Sequence, residues 1–131
     1  MSRFVSVRYI VNDVAESIQF YTRLLGFKVE MFPAKEFAIL SRDNLRLLLS
    51  KPNGRGGGGQ VMQDGTPQSP GGWNRFEIEV ENIETKVSDL REAGCIFRSE
   101  LFTGIGGKQI LLKDPSGNLV GLFEFFKSAD A

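Results

Sequence analysis

The chain repeats one helical pattern at a fixed distance, and this duplication constrains the fold more than any other feature of the sequence. The matched pairs are Val14 and Ile83, Ile18 and Val87, Tyr21 and Leu90, and Gly26 and Gly94. The three apolar pairs are 69 residues apart, and the two glycines are 68 apart, which corresponds to a single-residue gap. An internal repeat of this length indicates one supersecondary unit used twice.

Each copy has the pattern of a β-α-β-β-β module. In the first, a strand rich in β-branched and aromatic residues at 4–11 precedes the helix. Asp13 and Glu16 have the spacing of a capping box, and Gly26 is placed to end the helix in the left-handed conformation. Three strand candidates follow: FKVEMF, EFAILSR and LRLLLSK.

The second copy repeats this order and ends in a strong turn signal. Its strand candidates are RFEIEV, CIFRSEL, GKQILLKD and NLVGLFEFF. DPSGN at 114–118 separates the last two and has proline and glycine where a tight turn favours them. We therefore predict a single domain over 1–131, with module one at 4–50 and module two at 73–126.

Residues 51–72 join the modules and are dense in glycine, proline and polar residues. The run Gly56–Gly59 resembles part of a phosphate-binding loop, but Gln60 follows it and no helical pattern begins there. A flexible connecting loop, or a mobile flap, is the favoured interpretation.

Composition excludes several classes of function. Acidic and basic residues number 16 each, so net charge provides no attraction for nucleic acid or an anionic membrane. We expect neither partner, since no apolar run approaches the roughly 20 residues of a membrane helix. The sequence shows no signal-peptide pattern and has one cysteine, so we expect a cytoplasmic location. This cysteine, Cys95, is expected to be a small buried residue within a strand. The absence of histidine excludes a Ser-His-Asp triad and histidine metal ligands.

Two motifs carry a resemblance to a known family. VNDVAESIQFYTRLLGFKV and KDPSGNLVGLFE resemble the vicinal oxygen chelate superfamily, which contains glyoxalases, bleomycin-resistance proteins and ring-cleaving dioxygenases. The resemblance covers about residues 4–126. It implies an α+β fold in which two tandem βαβββ modules form a curled mixed sheet around a cup.

The resemblance also implies where metal ligands would stand. Counting from Asp13, Val80 and Asp114 places three of the four positions at Ser6, Arg75 and Gly121. The fourth, on LRLLLS, falls at Leu48 or within one or two residues of it. None is a good ligand for a divalent cation, and an arginine there brings a fixed positive charge. We therefore expect no metal and no other cofactor.

Strand alternation assigns side chains to the cup or to the helix. The helix-facing set is expected to be Val5, Val7, Tyr9, Val11, Phe76, Ile78, Val80, Val120 and Leu122. The cup-facing set is expected to be Ser6, Arg8, Ile10, Arg75, Glu77, Glu79, Leu119, Gly121, Phe123 and Phe125. Gly121 would leave room in the cup, and Gln109 is compatible with either face.

The candidate ligand-binding residues are Ser6, Arg8, Leu48, Trp73, Arg75, Gln109, Gly121 and Phe123. Two interpretations of the charges stay open. The arginines either pair with Glu77 or Glu79, or they grip a carboxylate or phenolate while phenylalanine provides stacking area. Trp73, at the expected rim, is predicted to pack, with stacking on a ligand as the alternative.

Three functions are compatible with this pattern. The favoured one is a metal-independent protein that binds an aromatic or anionic small molecule. The second is a lyase, isomerase or epimerase, with Glu77 or Glu79 as general base and Arg75 stabilising an oxyanion. The third is a regulatory module whose cup is vestigial. Because each module would expose strand edges, we also expect a homodimer.

Overall fold

The structure is a computed structural model that describes residues 2–52 and 57–127. The chain divides into two compact units. The first comprises Met1–Gly71 with Pro115–Asn118, and the second Gly72–Asp114 with Leu119–Ala131. The division at Gly71 falls at the end of the predicted connecting loop, and Pro115–Asn118 of predicted module two lies in the first unit. The fold is α+β, with two mixed sheets that do not close into barrels.

The first unit has the predicted β-α-β-β-β order. Its elements are β1 (Val5–Ile10), α1 (Val14–Leu24), β2 (Lys28–Ala34), β3 (Phe37–Arg42) and β4 (Leu45–Ser50). The strand order is β1-β4-β3-β2, in which β1 and β4 run parallel and the other neighbours antiparallel. The parallel pair is possible because α1 carries the chain across the sheet between the first two strands.

The ends of α1 confirm the predicted signals. The Asp13 side chain accepts a hydrogen bond from the Glu16 backbone N–H at 2.9 Å. Gly26 follows the helix with φ of 75°, a conformation that is strained for residues with a Cβ. The predicted stripe is buried: Val14, Ile18, Tyr21 and Leu25.

The first sheet buries two of the four residues predicted to face the helix, and Val7 is half-buried. Tyr9 and Val11 are buried, together with Leu47 and Leu49 of β4. Val5 was expected on the same face but is 60% exposed. It is the first residue of a strand at the sheet edge, where little of the chain lies over it, so alternation alone predicted its burial wrongly.

The predicted turn at 114–118 is present, and its last residues belong to the first unit. The Asn118 carboxamide donates to the Ile10 carbonyl at 2.8 Å and accepts from the Gly71 N–H at 2.8 Å. The Ser116 hydroxyl accepts from the Asn12 N–H at 2.8 Å. Buried Asn118 therefore satisfies two backbone groups at the end of β1 and of the connecting loop.

The second unit repeats the order with a broken second strand. Its elements are β5 (Phe76–Glu79), α2 (Ile83–Glu92), β6 (Ile96–Phe97), β7 (Phe102–Thr103), β8 (Gly107–Lys113) and β9 (Leu119–Phe125). The strand order is β5-β9-β8-β6, with β7 also paired to β8. β5 runs parallel to β9, and the pairs that involve β8 are antiparallel.

CIFRSEL does not form the single strand that was expected. Only Ile96–Phe97 is extended and paired, and the short β7 was not predicted. The Ser99 hydroxyl accepts a hydrogen bond from the Leu111 N–H at 2.9 Å. In a regular antiparallel ladder, the Leu111 N–H would bond to a backbone carbonyl of the neighbouring strand. Because the Ser99 side chain accepts this bond instead, the strand is interrupted. Cys95 is half-buried and lies before β6, not within a strand, and its burial raises the pKa of the thiol.

α2 has two side-chain caps and covers the buried face of the second sheet. Asn82 accepts from the Thr85 N–H at 3.1 Å, and Glu124 of β9 accepts from the Ile83 N–H at 2.9 Å. The predicted helix-facing residues Phe76, Ile78, Val120 and Leu122 are buried, while Val80 is half-buried. Neither helix in the described ranges is long and apolar enough to cross a membrane.

Candidate functional site

The candidate site is the face of the second sheet opposite its buried side, here called the open face. Cross-strand register determines which side chains meet there. Glu77 lies opposite Gly121, and Glu79 lies opposite Phe123. Gln109 lies opposite Phe123 on the other side. The prediction that Glu77, Glu79, Gly121 and Phe123 share a face is therefore confirmed, and the two possibilities for Gln109 are resolved toward the same face.

These side chains line a cavity of about 450 Å³, which we call the aromatic hollow. Its lining residues are Glu77, Glu79, Gln109, Phe123 and Phe125. The rings of Phe123 and Phe125 have centroids 4.5 Å apart and planes inclined by 62°. The hollow therefore offers two aromatic rings beside two carboxylates and a carboxamide.

Arg75 pairs with Glu77, which answers the question of its partner. The Arg75 Nε donates to Glu77 Oε2 at 2.9 Å, and its Nη1 donates to the Trp73 carbonyl at 3.2 Å. The side chains of Arg75 and Glu77 are 29% and 41% exposed, so solvent screens the pair. Arg75 therefore neutralises a carboxylate of the site.

Gly121 makes room for this ion pair. A Cβ at position 121 would lie 2.0 Å from the Glu77 Oε1. The prediction that glycine leaves space on the open face holds, and the space is filled by the Glu77 carboxylate. Glu77, Gly121 and Arg75 thus form one arrangement that spans two neighbouring strands.

Glu79 and Gln109 differ from Glu77 in having no internal partner. Within residues 2–52 and 57–127, neither side chain makes a hydrogen bond or an ion pair. Glu79 is exposed and Gln109 half-exposed. Both groups remain available to a molecule in the aromatic hollow.

Trp73 lies outside the hollow and does not pack as expected. It precedes β5 and is 65% exposed. The Arg98 guanidinium lies 5.2 Å from its ring centroid. The tryptophan therefore makes a cation-π contact with a surface arginine and is not buried.

The remaining candidates, Ser6, Arg8 and Leu48, lie on the first sheet. Ser6 is exposed, and half-buried Leu48 is the register neighbour of Arg8. The Arg8 Nη1 donates to the Ser50 hydroxyl at 2.7 Å and to the Gly57 carbonyl. Arg8 thereby ties the connecting loop to the face of the first sheet opposite its buried side, which is the open face of that sheet. The beginning of the predicted glycine run, Gly56, lies outside the described residues.

A larger depression adjoins the aromatic hollow and shares Glu79 and Phe125 with it. Its volume is about 800 Å³, and its lining residues are Glu79, Val80, Glu81, Asn82, Glu124, Phe125, Phe126 and Lys127. We call it the neighbouring hollow. Three of these residues are acidic and one is basic.

Two residues near the site were not among the predicted candidates. Phe125 lines both hollows, and the alternation of β9 places it on the face of Phe123. Phe102 of β7 lies opposite Gln109 and shares its face, with 59% of its surface exposed. Alternation provided the signal for Phe125, whereas Phe102 had none because β7 was not predicted.

The positions implied for a metal do not fit one. The Arg75 guanidinium donates to Glu77, and Gly121 has no side chain. Leu48 is apolar, and Ser6 is the one oxygen donor of the four. In the described ranges, no three His, Cys, Asp or Glu residues group to hold a metal ion.

Comparison with known proteins agrees with this architecture. The family model described as "Glyoxalase/Bleomycin resistance protein/Dioxygenase superfamily" matches residues 3–122. The chain belongs to this superfamily, which confirms the resemblance seen in its two motifs. No curated protein gives a significant match.

Three solved structures of similar fold are distant from this chain in sequence. TnmS3, an antibiotic binding protein from Streptomyces sp. CB03234, is 18% identical with a TM-score of 0.70, over 96% of this chain and 98% of that one. A superfamily member from Sphaerobacter thermophilus is 23% identical with a TM-score of 0.73, over 95% and 98%. A lactoylglutathione lyase from Agrobacterium tumefaciens is 15% identical with a TM-score of 0.71, over 92% of each chain.

Proposed function

We propose that the protein binds a small aromatic molecule in the aromatic hollow, without a metal ion. The observation that carries this proposal is the hollow itself. Two phenylalanine rings lie beside Gln109 and Glu79, whose polar groups have no partner within the described residues. Aromatic surface supplies contact area, and the few polar groups orient the bound molecule.

The size of the hollow supports a drug-sized or smaller ligand. Its volume of about 450 Å³ falls within the usual range for such sites, roughly 300–1,000 Å³. One solved structure of the same fold is named as an antibiotic binding protein. The poor ligand set at positions 6, 48, 75 and 121 supports binding that does not depend on a metal.

A loss-of-contact experiment tests the proposal. Phe123→Ala removes one ring of the hollow and should weaken any aromatic ligand by about tenfold, since a ring contact contributes about 0.5–1.5 kcal/mol beyond buried area. Ligands would be found by thermal-shift screening with aromatic acids, amines and antibiotics, and their affinities measured by calorimetry.

Ile105→Ala is the matched control for Phe123→Ala. Ile105 is a fully exposed apolar residue of the same unit and is not part of the lining of the hollow. Its loss should leave affinity unchanged. Equal ligand affinities of the Phe123→Ala variant and the native protein would refute the site. A stoichiometric transition metal found by elemental analysis would refute metal independence.

Catalysis is the second proposal, and the geometry favours one of the two candidate glutamates as the general base. Glu77 is held by Arg75, whereas Glu79 faces the hollow without a partner among the described residues. A lyase, isomerase or epimerase reaction would therefore use Glu79 to take a proton from the substrate. Turnover of a discovered ligand that disappears in Glu79→Gln would support this function, and an unchanged ligand after incubation would refute it.

We also propose that the protein forms a homodimer. Apolar side chains exposed in the second unit give a physical reason for association. One of them is Ile96, which is 66% exposed. Light scattering after size-exclusion chromatography should give twice the chain mass of 14.6 kDa at micromolar concentration. A mass of one chain would contradict the proposal.

A further inference from the structure

The two arginines expected to attract an anion are both engaged elsewhere. Arg75 donates to Glu77 and to the Trp73 carbonyl. Arg8 donates to Ser50 and Gly57 within the first unit. The charge that the aromatic hollow offers to a ligand is therefore set by its carboxylates.

Of the two carboxylates in the hollow, one is neutralised and one is not. Arg75 balances Glu77 at 2.9 Å. Glu79 has no ion pair in the described part of the chain, so it leaves one negative charge beside the phenylalanine rings. An oxyanion placed there would be repelled, and a cation attracted.

The neighbouring hollow has the same sign of charge. It shares Glu79 and adds Glu81 and Glu124, with Lys127 as its single basic lining residue. Glu124 accepts a hydrogen bond from the Ile83 N–H and lies opposite Lys108 in the register of β8 and β9, so that cation offsets its charge. The negative charge of this hollow comes mainly from Glu79 and Glu81. A ligand in the aromatic hollow therefore lies in a negative potential that comes from more than one residue.

The aromatic rings favour the same ligand charge. The face of a phenylalanine ring carries a negative quadrupole, which attracts cations and repels anions. Phe123 and Phe125 meet edge to face, with centroids 4.5 Å apart, and both rings line the aromatic hollow together with Glu79. Gln109 lies opposite Phe123 and supplies a carboxamide that accepts or donates a hydrogen bond.

We propose that the aromatic hollow selects an aromatic ligand that carries a protonated amine, and that Glu79 makes this selection. The ammonium group would donate to the Glu79 carboxylate while the aromatic part of the ligand packs on Phe123 and Phe125. This inference rests on the proposed binding function, because it assigns a charge to the ligand of the same hollow. It assigns no role to Arg75 beyond balancing Glu77.

Three naphthalene probes of similar size test the charge preference. They are 1-naphthylmethylamine, 1-naphthalenemethanol and 1-naphthoate, which are cationic, neutral and anionic at pH 7. We expect the amine to bind the native protein about fivefold more tightly than the alcohol, and the carboxylate to bind most weakly, as for an ion pair open to solvent. NMR titrations at low ionic strength, followed through the chemical shifts of the protein, would measure the three affinities. Added salt should reduce the preference for the amine.

The Glu79→Gln variant isolates the carboxylate. It should bind the amine and the alcohol with nearly equal affinity, because the glutamine keeps the size of the side chain and removes its charge. Glu92→Gln is the matched control, since it makes the same change in net charge at an exposed position of α2. This control should retain the fivefold preference.

The outcomes separate this inference from the function on which it rests. If the native protein binds all three probes with equal affinity and Phe123→Ala abolishes this binding, the selection by charge is wrong and the binding function still holds. Tightest binding of the carboxylate would overturn the selection as well. Failure of all three probes to bind would overturn the aromatic binding function together with it.

Discussion

The open faces of the two sheets derive from the same module but use their polar groups differently. On the first sheet, Arg8 is hydrogen-bonded to Ser50 and to the connecting loop. Ser41 on that face donates to Glu30 at 2.6 Å. On the second sheet, Glu79 and Gln109 have no partner within the described residues and border the aromatic hollow.

This difference indicates which copy of the module is specialised for binding. Polar groups that are satisfied internally stabilise a surface, and a ligand must break their bonds before it uses them. Polar groups next to apolar surface and open to solvent exchange only water for ligand. The second sheet is therefore the better candidate for recognition, although the backbone pattern of the two units is the same.

The largest effects are expected in the two cores. Leu47→Ala in the first unit and Leu122→Ala in the second each remove a side chain with no exposed surface. Both should reduce the free energy of unfolding by about 3 kcal/mol, which combines lost burial and a cavity. Urea denaturation monitored by circular dichroism would measure them. A cost below about 1 kcal/mol for only one variant would show that the two cores are not equally packed.

Much of this fold was predictable because its signals are local. The capping pair Asp13 and Glu16 and the glycine after α1 are read within one helix. The duplication then transferred the same order of elements to the second unit. The broken strand at Ser99 was missed because its cause is a hydroxyl that bonds to Leu111, twelve residues away. Strand propensity does not register such a contact.

The site was predictable as a face but not as a set of partners. Alternation placed Glu77, Glu79 and Phe123 together, because side chains on a strand alternate between faces. It left Arg75 with several possible acceptors. The choice of Glu77 depends on Gly121, which lies opposite in the parallel register of β5 and β9. A single sequence does not display the register of strands that are more than forty residues apart.

Two glycines of the second sheet should respond very differently to alanine. At Gly107 a Cβ would lie 2.0 Å from the Glu124 carbonyl oxygen, so the backbone itself must move. At Gly121 the obstacle is the flexible end of the Glu77 side chain. We expect Gly107→Ala to cost about 2 kcal/mol and Gly121→Ala less than about 1 kcal/mol. Denaturation of both variants would measure this, and an equal cost would show that the Glu77 side chain cannot move aside.

The tie made by Arg8 distinguishes the first open face. Arg8→Met keeps much of the side-chain volume and removes the donors to Ser50 and Gly57. We expect a loss of about 1 kcal/mol, typical of a solvent-exposed hydrogen-bonded group. Amide exchange at residues 57–68 should become faster. Arg3→Met, at an exposed position before β1, is the control and should change neither quantity.

Removing Arg75 should sharpen the contrast between the faces. Arg75→Met leaves Glu77 without its cation, so the aromatic hollow gains a second unbalanced negative charge. The affinity for 1-naphthylmethylamine should rise about twofold, as expected for one more solvent-screened charge, and that for 1-naphthoate should fall. In Arg75→Met with Glu77→Gln, the amine affinity should return to the native value. An increase in 1-naphthoate affinity in the single variant would contradict this account.

The smallest effect concerns Ser41 and Glu30 on the first sheet, and it depends on pH. The hydrogen bond from Ser41, with a contribution from nearby Lys28, holds the pKa of Glu30 below its usual value of 4.5. A pKa that is lowered in the folded state adds stability above the unfolded pKa and loses it as pH falls through the folded value. Ser41→Ala should therefore lower Tm by about one degree at pH 7, since Glu30 is exposed to solvent.

That difference in Tm should shrink as pH is lowered from 5 to 3, because protonated Glu30 no longer benefits from the serine donor in the same way. Thermal melts of the native protein and Ser41→Ala across this range measure it. The same pair compared in a Glu30→Gln background provides the control, where the difference should not vary with pH. A difference in Tm that stays constant from pH 5 to pH 3 would show that Ser41 acts through packing alone, and that the first face is less dependent on internal hydrogen bonds than Arg8 and Ser50 indicate.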